Sequence, residues 1–228
     1  VYLAYYFHLR KFGLYEDDYW FAGIPANSTF KEMLDFFKSN LTNFERNQGR
    51  YLAAILPLLL AFVNFKIGGF FFLYFFGIIL VTVNSILVYK ILSKKLPEYL
   101  AFIGSLAFIL FPADTTKALL VHIYQLQLSL FFTLAGMLLY VNNRKLFAYI
   151  VAFLSLITYE NAFLPFVFIP LLRTLEWKKR VWRQLLFHWI IIGIVFVFLF
   201  ILRKFFGEKI VAELELFEMV KKTFLGLI

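Results

Sequence analysis

Long apolar runs separated by short basic turns set the layout of this chain. Tyr51 to Phe65 is apolar for about fifteen residues around Pro57, short of the roughly 20 that a helix needs to cross a bilayer. Gly69 to Tyr89 is long enough, and further runs are Leu96 to Phe111, Ala118 to Val141, Leu146 to Tyr159, Ala162 to Leu172 and Leu185 to Leu202. Such runs predict an all-α, polytopic membrane helical bundle with membrane helices at about 69–89, 96–111, 118–141, 146–159, 162–172 and 185–202, because helices satisfy their own backbone in lipid.

Between residues 10 and 50 the pattern changes to a polar loop with balanced charge. Thr29 followed by Glu32 is the spacing of a capping box, and Phe30, Met33, Leu34, Phe37 and Leu41 recur at helical intervals. The spacing predicts an amphipathic helix lying on the membrane. The residues before Arg10, beginning at Val1, read as the far end of a longer helix and the chain as a piece of a longer protein. Residues 1–210 then form one membrane-embedded module, and 211–228 an amphipathic juxtamembrane segment.

Composition fits that class. The chain has 228 residues, 62% of them hydrophobic and 16% charged, with a mean hydropathy of +0.80. It contains no cysteine, which excludes disulfides and thiolate metal sites. The net charge of +9 sits mostly in short loops, as the positive-inside rule requires and as a nucleic-acid groove does not.

Charge orients the bundle. Lys90, Lys94 and Lys95 with Glu98, then Arg144 with Lys145, then the Arg173 to Arg183 cluster, carry +2, +2 and +4 and belong in the cytoplasm. All three stay there if Gly69 to Tyr89 runs inward, each later run reverses, and Tyr51 to Phe65 re-enters or lies along the outer surface. The stretch Leu146 to Leu172 is then a hairpin turning at Tyr159-Glu160-Asn161. Its arms are shorter than the bilayer is thick, so the turn is recessed below the outer surface.

That arrangement gathers the chemistry outside. Tyr15-Glu16-Asp17-Asp18-Tyr19-Trp20 holds three consecutive carboxylates among aromatics. It reads either as a solvated membrane-flanking turn or as a site where a cation, proton or substrate hydroxyl offsets the repulsion. Thr115, His122, Gln125, Ser129, Thr133 and Gly136 share one helical face and form a polar seam of the kind that packs helices together. His122 adds a second reading, lining a cavity or binding a phosphate. Glu160 is ionisable near the interface and a functional candidate by default. Arg50 suits a lipid phosphate or a headgroup anchor. The sequence lacks a phosphate-binding glycine loop, a nucleophile elbow and a paired-His metal motif.

Taken in order, the chain resembles the membrane-embedded GT-C glycosyltransferases, which transfer sugars from polyprenyl-phosphate carriers. Four features carry the resemblance. They are Glu16-Asp17-Asp18-Tyr19 just after the first apolar run, the first external loop at about 27–66, the 69–89 helix ending in a basic turn, and Ser155-Leu156-Ile157-Thr158-Tyr159-Glu160.

The resemblance implies a GT-C-like fold with juxtamembrane helices in the first external loop. It also implies transfer of a sugar to a glycan, lipid or protein acceptor on the outer face of the cell inner (plasma) membrane. A first-loop aspartate acts as general base or helps hold a divalent cation, and outer basic residues hold the carrier phosphate. Asp17 and Asp18 match the acidic motif, with Asp17 the first choice for the base and Glu16 tuning the pair. Arg50, Lys117, His122 and Arg203 are physical candidates for the phosphate, and Gln125 and Glu160 complete the substrate-binding set. The competing class is a transporter or flippase for a lipid-linked or anionic substrate that uses the His122 seam as its pathway; a structural subunit is a third reading.

Overall fold

The computed structural model describes residues 14, 17–42, 51–111, 119–173 and 179–205, and every element among them is helical. Helix α1 spans Asp17–Asn27 and α2 spans Phe30–Thr42. The backbone N–H and hydroxyl of Thr29 donate to Glu32 Oε2 at 2.7 and 2.9 Å, while the Glu32 N–H donates to Thr29 Oγ1 at 3.3 Å. This reciprocal capping box satisfies amides that the first turn leaves open. The bond from the Thr29 backbone, then that from its hydroxyl, holds the Glu32 carboxyl below its ordinary value. Helix α2 is amphipathic: Met33 and Phe37 are buried, whereas Phe30 and Leu34 stay exposed. Leu41 has its side chain outside the described residues.

Helix α3, Tyr51–Leu92, is two helical arms joined by a kink at Gly68 and Gly69, both of which leave helical backbone geometry. Gly69 has φ 63° and ψ −151°, a region essentially reserved for glycine. A Cβ on Gly68 would meet the Phe72 ring at 2.0 Å. Here the two arms bend toward each other. Asn64 Nδ2 donates to the Tyr124 hydroxyl at 3.1 Å, and that hydroxyl donates to the Leu73 carbonyl at 3.2 Å. Nine residues of straight helix would hold Asn64 and Leu73 about 13.5 Å apart, too far for one hydroxyl to bridge. The apolar stretch Ile55–Leu92 has 38 residues, nearly twice what one crossing of about 30 Å requires, and the glycine pair divides it.

Helix α4, Glu98–Leu110, packs on α3, where the Ser105 hydroxyl donates to the Ser85 carbonyl at 3.0 Å. Next come α5, Leu120–His122, a π-helical turn, Ile123–Gln127, and α6, Leu128–Val141, which together make one rod of 22 residues. Helix α7 spans Lys145–Thr158 and lies antiparallel to α6. Gly136 permits that contact, since a Cβ there would sit 3.1 Å from the Ala148 carbonyl and 3.3 Å from Ala152. The facing residues Ala148, Ala152 and Ser155 are all buried, the small-residue stripe that lets helices approach closely.

After Thr158 the chain turns through extended Tyr159 into a 3-10 turn, Glu160–Phe163, then α8, Leu164–Val167, and α9, Ile169–Arg173. This segment returns along α7, because the Phe166 ring lies 5.8 Å from that of Tyr149 and 6.1 Å from that of Tyr140. Helix α10, Lys179–Phe205, closes the bundle with an outer face of exposed Phe187, Ile190, Ile194, Phe198 and Ile201.

Two buried clusters result. One joins Phe21 of α1, Met33 of α2, Leu58 and Leu73 of α3 and Tyr124 of the rod; the other joins Ile91, Tyr140, Ala152, Phe166 and Ile192. Ile55–Leu92, Leu120–Val141 and Trp182–Ile201 are long and apolar enough to cross a membrane, while Glu98–Leu110 and Lys145–Thr158 are apolar but shorter. The protein is an all-α membrane bundle.

Candidate functional site

Asp18 joins the acidic stretch to the start of the rod. Its Oδ1 accepts the Val121 N–H at 2.8 Å across 103 residues of chain. Leu119, at the N-cap position of the rod, has no side-chain cap hydrogen bond; Asp18 of α1 satisfies one of the open amides from outside the helix. A carboxylate there also faces the positive end of the backbone dipoles. Phe21, one turn further along α1, packs on Tyr124 of the rod with ring centroids 5.3 Å apart. Asp18 is 0% exposed, and among the described residues its Oδ2 has no hydrogen-bond partner.

His122 follows Val121 directly. Its ring is half-buried, with Nδ1 buried and without a partner among the described residues. Two uncommitted polar atoms, Asp18 Oδ2 and His122 Nδ1, therefore sit within one residue of the same contact. Buried polar atoms without partners are rare enough to mark a place where another group belongs.

Immediately below lies the π-helical turn, a feature that recurs at functional sites. It is fastened to α3 at two points. Tyr124 bridges Asn64 and Leu73, and Asn84 Nδ2 donates to the Gln127 carbonyl at 2.9 Å and to its Oε1 at 3.0 Å. The extra residue in that turn offsets positions above it from those below by about 100°. The single face expected for His122, Gln125, Ser129, Thr133 and Gly136 is consequently divided, with His122 above the turn and Gln125 within it, both half-buried.

Its lower half is a packing seam. The Ser129 hydroxyl lies 2.8 Å from Ser155 Oγ and within donating distance of the Tyr159 carbonyl at 2.8 Å, and Thr133 Oγ1 donates to Ser155 Oγ at 2.7 Å. These contacts fix the hairpin turn against the rod and put Glu160 near the level of Ser129. Val121 is eight residues higher, about 12 Å along the rod, so Glu160 and Asp18 are not brought into one cluster. Glu160 is half-buried.

Other candidates separate as follows. Asp17 opens α1, while its side chain, Glu16, Arg50, Thr115 and Lys117 lie outside the described residues. Arg203 lies in the last turn and a half of α10, its side chain likewise outside. The described residues contain no group of three or more His, Cys, Asp or Glu able to hold a metal. At Asp18 they offer one uncommitted carboxylate oxygen, fewer ligands than a divalent cation takes.

A second polar centre escaped the sequence reading. His188 of α10 is fully buried; its Nε2 is 3.0 Å from the Phe166 carbonyl and its Nδ1 is 2.7 Å from the Tyr149 hydroxyl. A carbonyl only accepts, so Nε2 carries the proton and Tyr149 donates to Nδ1. The signal was one imidazole within the apolar run Leu185 to Leu202, where ionisable groups are rare. Comparison of the chain with protein-family models, with curated proteins and with solved structures gives no match.

Proposed function

We propose that this chain is the membrane-embedded module of a GT-C-type glycosyltransferase. It moves a sugar from a polyprenyl-phosphate carrier to an acceptor hydroxyl on the extracytoplasmic face. The observation that carries the reading is the buried Asp18 carboxylate on the Val121 amide, with its second oxygen uncommitted beside His122. A membrane bundle rarely retains an acid in such surroundings without using it.

Asp17 takes the proton of the acceptor hydroxyl as the acceptor oxygen bonds to the anomeric carbon of the donor. The bond from that carbon to the carrier phosphate breaks, and the phosphate leaves with the electron pair. Asp18 is the positioning residue, holding the first turn of α1 against the rod. Arg50, Lys117, His122 and Arg203 serve the departing phosphate, with Gln125 and Glu160 toward the sugar and acceptor. Sugar transfer by an Asp17→Asn variant tests the assignment: transfer is lost while insertion and folding persist, and undiminished transfer removes Asp17 from the mechanism. A transport path along the seam is the less favoured reading, because Ser129, Thr133 and Ser155 spend their hydroxyls on one another and on the Tyr159 carbonyl.

A further inference from the structure

At the opposite end of the rod, a cleft of about 760 Å³ opens between the first turns of α7 and α10. Lys145 and Arg183 stand in it, both exposed, and among the described residues its lining contains no acidic one. Lys145 is the first residue of α7, where the backbone dipoles already carry positive charge and a basic side chain is unfavourable unless an anion joins it, and Arg183 stands one turn inside α10. Lys145 Nζ lies 5.6 Å from the Tyr140 ring centroid, which forms part of the floor with Tyr149, held in turn by His188.

Below the cations the cleft changes character. Arg183, Phe187 and Ile191 follow one another at intervals of four on α10, so one face of that helix passes from cationic to aromatic to aliphatic. On α7, Lys145 is followed by Leu146, 70% exposed, just as Phe187 is 65% exposed. A basic mouth above an open apolar wall matches an amphiphile whose anionic head and hydrocarbon tail are joined in that order.

We propose that this cleft is a binding site for an anionic phospholipid, its phosphate between Lys145 and Arg183 and an acyl chain along Leu146, Phe187 and Ile191. The site is separate from the Asp18 centre: Tyr140 in its floor lies 19 residues below Val121, about 28 Å along the rod. Lipid recognition by paired cations at the end of membrane helices follows from the charge of the headgroup.

The test uses the full chain in zwitterionic nanodiscs titrated with phosphatidylglycerol, extra phosphatidylcholine or inorganic phosphate, with bound lipid read by native mass spectrometry. Phosphatidylglycerol is retained in preference to phosphatidylcholine, and inorganic phosphate at millimolar concentration does not displace it. The double variant Lys145→Gln, Arg183→Gln weakens retention roughly twenty-five-fold, from about fivefold per basic residue. Both side chains are exposed, so the variant folds, which its unfolding midpoint without added lipid checks. The control double variant Lys94→Gln, Lys95→Gln, at the same end but outside the cleft, keeps the preference. Equal retention of both lipids, displacement by phosphate, or equal loss in the control would each overturn the assignment.

Discussion

Asp18 and Val121, 103 residues apart in sequence, share a 2.8 Å hydrogen bond that fastens the acidic stretch to the first amides of the rod that begins at Leu120. Both oxygens of this carboxylate are enclosed, but among the described residues only one has a partner. The bond therefore does two things: it closes a helix end, and it holds the neighbouring Asp17 backbone at that end.

Removing the acceptor exposes the first role. Asp18→Ala leaves the Val121 N–H buried without a partner and is expected to cost about 1–3 kcal/mol. Asp18→Asn keeps a carbonyl oxygen to accept that bond and costs less. Unfolding in detergent, followed by circular dichroism, measures both; equal losses would mean that charge rather than the hydrogen bond fastens α1.

Gly136 sets the approach of α6 and α7. A valine there must displace the Ala148 carbonyl or Ala152, which stand only 3.1 and 3.3 Å from where its Cβ would lie. Overpacking of this kind costs about 1–3 kcal/mol, and the Gly136→Val protein should unfold at correspondingly lower denaturant concentration. An unchanged midpoint would show that this contact is loose.

Much of the packing was legible because it rests on local spacing. Thr29 and Glu32 announce their capping box, the apolar runs Tyr51 to Phe65 and Gly69 to Tyr89 part where α3 breaks, and Ser129, Thr133 and Gly136 line up as a packing face. The rest depends on partners far away in sequence. The π-helical turn at Ile123–Gln127 is held by Asn84 and Tyr124 acting across to α3, and no periodicity within the turn reveals it. It is this turn that divides the seam read as one face. Likewise Asp18 looks like any exposed loop acid until its partner in the rod is known, and His188 is hidden by the apolar residues that bury it.

Acid should release α2. The Glu32 carboxyl has a folded-state pKa below its ordinary value of 4.5 because Thr29 donates to the charged form. Its stabilisation is fully present above the unfolded pKa and is lost as pH falls through the folded one. Hydrogen-exchange protection of the Glu32 and Met33 amides, corrected for intrinsic rates, should fall across that range. In Glu32→Gln, which keeps the capping geometry but does not titrate, the fall should be absent; a fall of the same size would assign it to another group.

Orientation can be read with single cysteines, since the chain has none of its own. Lys31 on α2 and Asn142 after α6 are both exposed. With the basic turns inside, an impermeant thiol reagent added to intact cells labels Lys31→Cys and leaves Asn142→Cys untouched until the membrane is opened. The reverse pattern would invert the bundle and move the Asp18 centre to the cytoplasm.

The most direct test of the proposed chemistry is sugar transfer from a polyprenyl-phosphate donor by the full-length protein in membranes, comparing wild type with Asp17→Asn. Loss of a general base lowers rates by about 10²–10⁴-fold, so the account predicts transfer reduced by at least about a hundredfold in protein that still inserts and unfolds at the wild-type midpoint. Transfer at the wild-type rate would contradict it.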